Sequence, residues 1–250
     1  MRIFIFQILC LLVLVPVNAQ NLEITYRATV RQTLPDDERK EFLVNDFMRA
    51  QLKQNEEPDP CEYKMVISGK ESSFTYVEKI SNHQDPNAPV IRVAPAGFGT
   101  TYKNLSDSTV RKDFDVYDKK YFSLDPLQKY DWKITKEKKE ILGFEARKAI
   151  AEDSTAIYTA WYAPKLSFPD GPADYWGLPG LILEAEKSSK SMVYEQTYIA
   201  ESIQSFDKKL KIIKPGRGTQ IKANEIDGIW DEVNKRRNEI WNDPQGVEKD

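Results

Sequence analysis

Cysteine and histidine are scarce in this chain, which has two cysteines and one histidine among its 250 residues. Cys10 lies in the apolar N-terminal segment, so Cys61 is the single cysteine of the remaining chain. One cysteine cannot form an internal disulfide, and ordinary zinc sites need several nitrogen or sulfur ligands. The sequence therefore excludes an internal disulfide framework after removal of that segment, and it predicts no metal site and no cofactor.

Motifs of catalysis are also missing. The single histidine, His83, lies in a polar stretch, and no G-x-S-x-G sequence marks a nucleophile elbow. Asp113, Asp115 and Asp118 form a carboxylate cluster of the kind that binds hard cations or performs acid–base chemistry. Basic residues flank the cluster on both sides, which favours a solvated, charge-balanced surface. A hydrolase that uses carboxylates and His83 is one alternative function.

The chain has no excess of positive charge and one long apolar run. It contains 36 basic and 39 acidic residues, and loss of Arg2 with the N-terminal segment leaves 35 basic residues and a net charge of −4. This balance does not favour nucleic acid as a partner. After residues 3–15 no further long apolar run occurs, so the sequence predicts no transmembrane segment in the mature chain.

Residues 1–19 have the layout of a secretory signal peptide. Arg2 precedes the apolar run, Pro16 ends it, and the small residue Ala19 stands at the cleavage position. The sequence predicts export to the periplasm or the outer-membrane periphery. We expect residues 20–243 to form a single β-rich domain, because all-β domains of this length are common, and residues 244–250 to form a flexible tail.

Hydrophobic alternation with a period of two recurs along the mature chain, beginning at Leu22. It predicts strands over 22–33, 61–67, 74–78, 100–103, 109–116, 120–124, 130–135, 145–152, 155–163, 180–187 and 192–203, with an edge strand at 210–213. Helical periodicity predicts helices over 36–55 and 224–241. This order predicts a mainly β (α+β) fold, a curved antiparallel sheet or half-open barrel packed with one or two helices.

The segment 170–183 concentrates residues that specify a backbone path. Its special backbone residues are Gly171, Pro172, Gly177, Pro179 and Gly180. We interpret them as a structural connection that turns tightly and enters a buried strand, with Gly180 at positive φ. The alternative interpretation is an aromatic platform, for which the predicted ligand or partner contacts are Tyr175, Trp176, Leu178 and Trp161.

Three motifs support a family resemblance: the segment Gly171–Leu183 with its Gly-Leu-Pro-Gly-Leu-Ile core, Ile141–Ala149, and Thr159–Ala163. Together they resemble the GLPGLI family, exported proteins found chiefly in Bacteroidota. The resemblance implies export and brings no established activity. Its sheet-plus-helix pattern is similar to the half-open barrels of periplasmic lipoprotein carriers, in which a curved sheet encloses an apolar groove.

The sequence thus predicts an exported cell-envelope protein with a non-enzymatic binding or accessory function and an envelope protein as partner. The main alternative is a carrier of an apolar or lipid-like ligand in the groove of a half-barrel.

Overall fold

The computed structural model describes residues 21–33, 53, 56–78, 93–117, 119–191 and 193–242. In chain order the strands are β1 (Asn21–Thr33), β2 (Cys61–Ser68), β3 (Glu71–Val77), β4 (Thr100–Asn104), β5 (Thr109–Val116), β6 (Lys119–Pro126), β7 (Lys133–Ile141), β8 (Phe144–Glu152), β9 (Ala156–Ala163), β10 (Leu181–Ser189), β11 (Val193–Phe206) and β12 (Thr219–Ile221). A short 3-10 turn at Ala223–Glu225 leads into helix α1 (Ile226–Asn242).

These described strands form one sheet, in the order β12-β6-β5-β4-β3-β2-β1-β11-β10-β9-β8-β7. All neighbouring pairs are antiparallel except β12 and β6, which run parallel. The sheet therefore consists of two meanders, β1 to β6 and β7 to β11, joined where β1 pairs with β11. The predicted mainly β, antiparallel fold is confirmed, and the sheet is open and not closed into a barrel.

One predicted strand is wrong. Residues 210–213 are irregular, and the terminal edge strand is Thr219–Ile221, which follows Gly218. A Cβ at Gly218 would overlap the carbonyl group of Lys120, so glycine lets the chain approach β6 closely. The predicted helix over 36–55 and the tail 244–250 lie outside the described residues, apart from Lys53, and the division into one domain and a tail stays a prediction.

The sheet must be strongly curved, because a short linker joins strands near its two opposite edges. Strands β6 and β7 are ten strand spacings apart, which is roughly 48 Å across a flat sheet at about 4.8 Å per strand. The linker between them, Leu127–Trp132, allows a span of at most about 25 Å from Pro126 to Lys133. The two arms of the sheet therefore bend toward each other and face a common interior.

One face of the sheet carries the core. In β1 the side chains of Leu22, Ile24 and Tyr26 are buried, whereas the intervening residues are half-buried or exposed. The segment 164–180, which links β9 to β10, covers this inner face and contributes Ala173, Tyr175 and Leu178 to the same core cluster. Cys61, at the start of β2, is buried and belongs to the same core cluster.

Helix α1 adds little to this core. None of its described side chains is buried, and the ring of Trp230 contacts that of Tyr117 in a tilted arrangement, with centroids 5.9 Å apart. Residues of the segment 164–180 therefore cover part of the inner face, and the described side chains of α1 do not add to it. Among the described residues, no helix combines the length and the apolar character that a membrane crossing requires.

The covering segment is held by its own backbone. Gly177 N–H donates to the Pro169 carbonyl at 3.0 Å, and Tyr175 N–H donates to the Pro172 carbonyl at 3.0 Å. Gly177 has a φ of +89°, in the left-handed region that favours glycine. Pro179 is exposed, and Ile182 N–H donates to the Asp170 carbonyl at 2.9 Å as β10 begins.

Gly180 has a φ of +158°, so the predicted positive φ is confirmed, and glycine is also required at this position for space. A Cβ at this position would overlap the Ala163 carbonyl, standing 2.7 Å from its carbon and 2.9 Å from the Pro164 Cα. The clash is with backbone atoms of β9, so no side-chain movement relieves it.

Gly180→Ala is therefore expected to lower the free energy of unfolding by roughly 1–3 kcal/mol, because one methyl group overpacks the β9–β10 junction. Chemical denaturation measures this change. Gly216→Ala is the control, since a Cβ at Gly216 would meet no atom within 4 Å and the residue has no positive φ. Equal stability of the two variants would contradict the steric account.

Candidate functional site

A buried ion pair fixes the covering segment to the sheet. Lys103 on β4 lies with its Nζ 2.5 Å from Asp170 Oδ1, and the two side chains are 0% and 2% exposed. The same ammonium donates to the carbonyls of Gly171 at 2.6 Å and Tyr175 at 2.9 Å. Asp170 Oδ1 also accepts the Gly171 N–H at 2.8 Å. The ammonium thus has three acceptors and the carboxylate two donors, and a buried ion pair needs such additional hydrogen bonds to offset its desolvation.

A second buried contact supports the same junction. Tyr26, on the central strand β1, donates its hydroxyl to the Ile182 carbonyl at 2.6 Å. Burial raises the pKa of Tyr26 well above its ordinary value, and the negative charge of Asp170 raises it further. The hydroxyl therefore stays protonated and remains a donor to the backbone where the covering segment enters β10.

The linker between the two meanders is tied to the covering segment by two indoles. Trp132 Nε1 donates to the Trp176 carbonyl at 2.9 Å, and Trp176 Nε1 donates to the Gln128 carbonyl at 2.5 Å. The pair is reciprocal, since each tryptophan bonds to the other's chain segment. It holds the linker, and hence the bend of the sheet, against the covering loop.

Aromatic rings form a continuous column through the interior. Trp132, Tyr130 and Tyr175 stack with centroids 4.9 and 5.8 Å apart, and Tyr175 meets Tyr198 edge-on at 6.1 Å. The column continues from Tyr198 through rings of β2 and β3, which are Phe74 at 5.8 Å and Tyr63 at 6.4 Å. Edge-to-face and offset pairs of this kind add favourable energy beyond burial alone.

Next to this column lies a pocket of about 370 Å³ between the two arms of the sheet. One wall comes from β4, β5 and residues 95–97, the other from β9, β10 and β11, and the covering segment supplies residues 173–175. Five tyrosines line it: Tyr130, Tyr158, Tyr175, Tyr194 and Tyr198. Burial is the main cause that raises the pKa of Tyr130, Tyr175 and Tyr198, and the Asp174 carboxylate contributes to each.

Most polar groups of the pocket wall already have partners. Lys112 Nζ lies 2.7 Å from Asp174 Oδ2. Asp113 Oδ1 accepts the Thr100 N–H. Gln196 Nε2 donates to the Tyr198 hydroxyl at 2.7 Å and also to the Pro95 carbonyl. These bonds preorganise the wall, because the side chains are held in place by the protein itself.

The four predicted contact residues do not come together. Tyr175 lines the pocket, whereas Leu178 is 1% exposed and belongs to the core. Trp176 is half-buried and engaged with the linker. Trp161 is on the opposite face of the sheet, where Lys139 Nζ stands 4.4 Å from its ring centroid. The predicted aromatic platform is thus reduced to Tyr175.

The carboxylates of the hydrolase hypothesis are also dispersed. Asp113 reaches the pocket, whereas Asp115 is exposed and lies 3.2 Å from the Lys120 ammonium. Asp118 and His83 lie outside the described residues. Within the described part of the chain, no group of three acidic, histidine or cysteine side chains is placed to bind a metal ion.

Lys103 and Asp170 are the residues that sequence patterns miss. Alternation in β4 would place the aromatic Tyr102 inside and the lysine outside, but the structure has Lys103 on the inner face. Tyr102 lies on the outer face, bonded to Glu71 Oε1 at 2.5 Å and covered by Lys214 at 4.9 Å from its ring. An acidic residue next to the glycine-rich segment was the available signal for a buried cationic partner.

A family model described as "Protein of unknown function (Porph_ging)" matches residues 151–184. This range holds the Gly-Leu-Pro-Gly segment, Asp170 and all of β9, and the match is consistent with the resemblance to GLPGLI proteins. No curated protein matches the chain.

Among solved structures, PNGF-II matches in its C2 and P21 crystal forms with a TM-score of 0.51 in each, at 20% and 19% identity. The match covers 84% of this chain and 33% of the PNGF-II chain, so this chain spans about a third of the length of PNGF-II. This likeness shows a shared fold with that part of PNGF-II.

Two further structures cover most of both chains. One is a DUF1329 family protein from Desulfovibrio piger, which is 8% identical, with a TM-score of 0.21, and the match covers 78% of this chain and 89% of that one. The other is a putative outer membrane lipoprotein-sorting protein domain from Vibrio parahaemolyticus, which is 4% identical, with a TM-score of 0.26, and the match covers 86% of this chain and 92% of that one. Both TM-scores are too low to support an argument about function.

Lys103→Met is expected to lower the free energy of unfolding by about 3–5 kcal/mol, because it leaves the Asp170 carboxylate buried without its counter-charge. The double variant Lys103→Met with Asp170→Asn should lose less than the sum of the two single variants. Urea denaturation of all four proteins measures the coupling. Strict additivity would show that the two side chains stabilise the protein independently. Lys208→Met, at an exposed position, is the control.

Alkaline pH is expected to unfold the protein as its tyrosines ionise. Burial raises the pKa of Tyr26, Tyr63, Tyr130, Tyr175 and Tyr198. Below pH about 10 both states keep these protons, so stability is intact. As the pH rises above that value the unfolded state releases protons first, and the free energy of unfolding falls by about 1.4 kcal/mol per pH unit for each buried tyrosine.

Phenolate absorbance and near-ultraviolet circular dichroism, recorded against pH, check this expectation. The buried tyrosines should ionise together with the loss of the dichroism signal. Ionisation of every tyrosine near the ordinary pKa, with the dichroism unchanged, would contradict the burial of the aromatic column.

Proposed function

We propose that this chain is an exported, non-enzymatic binding protein of the cell envelope, and that it holds a small polar ligand in the tyrosine-lined pocket. The carrying observation is the lining itself: five tyrosines combined with lysine, aspartate, glutamine and threonine side chains around about 370 Å³. Ligand sites typically pair apolar or aromatic surface with a few placed polar groups that fix orientation. This pocket has that composition, and its walls are preorganised.

The lining favours a polar ligand over an acyl chain. Its non-aromatic apolar side chains are those of Pro95, Ala96 and Ala173, whereas tyrosines and polar groups form the rest, with Phe114. An acyl chain in this space would leave hydroxyl, amide and charged groups facing hydrocarbon, which is costly for each unpaired group. The apolar-carrier alternative therefore has less support than a polar ligand.

The pocket also offers few free groups that could serve as the catalytic residues of a hydrolase. Its two lining carboxylates are engaged, Asp174 by Lys112 and Asp113 by the Thr100 N–H. A general acid or base must lie within hydrogen-bond reach of the proton that it transfers, and these bonds hold both carboxylates to the protein itself. A role for His83 stays a prediction, because that residue lies outside the described residues.

Export is proposed from the sequence. The signal-peptide layout of residues 1–19 predicts it, and a mature chain placed in the periplasm or at the outer-membrane periphery would meet small polar solutes directly. A partner protein of the envelope is compatible with this proposal, because the outer face of the sheet is not used by the pocket.

Filling the pocket should abolish ligand binding. Ala96 is half-buried and lines the pocket, so Ala96→Phe adds bulk within it. Ligand-observed NMR against a library of sugars, amino acids, nucleosides and fatty acids is expected to give polar hits with the full mature chain, and Ala96→Phe should lose them.

Thr159→Phe is the matched control, since Thr159 is half-exposed on the outer face of β9 and should leave every hit in place. Hits limited to fatty acids would support the carrier alternative instead. The absence of any hit that Ala96→Phe removes, with both variants folded by circular dichroism, would contradict a ligand site in the pocket.

A further inference from the structure

One charged group on the pocket wall lacks a counter-charge. Lys187 lies on the inner face of β10, because it pairs across the sheet with the buried Tyr158 on β9 and with Gln196 on β11. Its Nζ stands 5.9 Å from the Tyr158 ring centroid, and it has no anionic partner among the residues that the structure describes. Strand β10 lies inside the sheet, so protection of a sheet edge does not explain an inward lysine.

The carboxylates that line the pocket do not neutralise this ammonium. Asp174 is 2.7 Å from Lys112, on the β5 side of the pocket. Asp113 is also on β5 and accepts the Thr100 N–H. Both carboxylates are bonded on the β5 side of the pocket, so the ammonium of Lys187 remains able to bind an external anion.

Two other lining residues have unused capacity for a hydrogen bond or for ring stacking. The Tyr175 hydroxyl is buried, with the residue 4% exposed, and it has no hydrogen-bond partner in the described part of the chain. The Tyr194 ring is half-buried and makes no ring contact with the other described aromatics, unlike the stacked Tyr130. A buried hydroxyl without a partner is costly, and an unstacked ring at a pocket wall is a surface for another ring.

We propose that the pocket binds a molecule that carries a carboxylate on a six-membered ring, with the carboxylate on Lys187, the ring against Tyr194, and a ring hydroxyl within reach of Tyr175. The inference rests on the proposed function, since it names the chemical class of ligand for the same pocket. A sugar acid and an aromatic hydroxy acid both present this chemistry. Charge-assisted hydrogen bonds are the stronger ones, so the carboxylate supplies selectivity over neutral rings.

Matched ligand pairs test this class by isothermal titration calorimetry. Methyl glucuronide is compared with methyl glucoside, and 4-hydroxybenzoate with 4-hydroxybenzyl alcohol, since each pair differs in the carboxylate. With the full mature chain, the acid of at least one pair should bind about tenfold more tightly than its neutral partner, and rising salt should reduce that ratio. The pair that shows the preference identifies the sugar or the aromatic source.

Lys187→Gln should remove the acid preference, so that the acid and its neutral partner bind with similar affinity. Lys136→Gln is the control, because Lys136 is exposed on β7 and does not line the pocket. Tyr175→Phe deletes a hydroxyl that has no partner among the described residues, so it should keep the melting temperature and weaken binding. This variant and the salt titration keep the test decisive if Lys187→Gln proves unstable.

The outcomes separate the two levels of the proposal. Neutral and acidic partners that bind equally well, or an acid preference that Lys187→Gln leaves intact, would overturn the carboxylate class while the pocket remains a ligand site. No binding of either pair, with no polar library hit that Ala96→Phe abolishes, would overturn the proposed function as well.

Discussion

The buried ion pair between Lys103 and Asp170 is the interaction on which the interior depends. It joins a strand of the first meander to the segment that links β9 to β10 in the second, so it connects the two meanders of the curved sheet. An ammonium with three acceptors leaves little freedom to the loop that provides them, since Asp170, Gly171 and Tyr175 all bond to the same nitrogen. Replacing such a pair by apolar residues is often neutral or stabilising. Its structural effect here is therefore position: it sets where Tyr175 lies.

The position of Tyr175 affects the interior because the sheet is curved. The linker Leu127–Trp132 is too short to join the ends of a flat sheet, and its own residues fill the space that the bend creates. Tyr130 enters the aromatic column, and Trp132 bonds to the covering segment. One short stretch thus forces the arms together and supplies part of what packs between them. The pocket remains where this filling stops, between β4 and β5 on one side and β9 to β11 on the other.

The local patterns of the sequence predict most strands, because period-two alternation records which residues face a core. They place the hairpins and the meander, and they fail at 210–213, where a short apolar run does not pair. They cannot predict the site, because a lysine in β4 carries no sign that its face is the inner one. Trp161 illustrates the same point, because the alternation with Tyr162 places it on the outer face, next to Lys139, and its contact with a ligand or partner stays a prediction. Which face of a strand points inward depends on the curvature of the sheet and on the covering segment. Both are determined by residues far apart in the sequence.

The glycine- and proline-rich segment gains a role from these constraints. Gly180 lets β10 start against the β9 backbone, and Gly177 turns the chain so that Trp176 reaches the linker. The two acidic residues of this segment bind different lysines. Asp170 forms the buried ion pair with Lys103, and Asp174 binds Lys112 at the pocket wall. Because both of these lysines of the β4–β5 arm are neutralised by the segment, the lysine of the opposite arm, Lys187, keeps its charge available. The segment that specifies the backbone path therefore also determines the electrostatic asymmetry of the pocket.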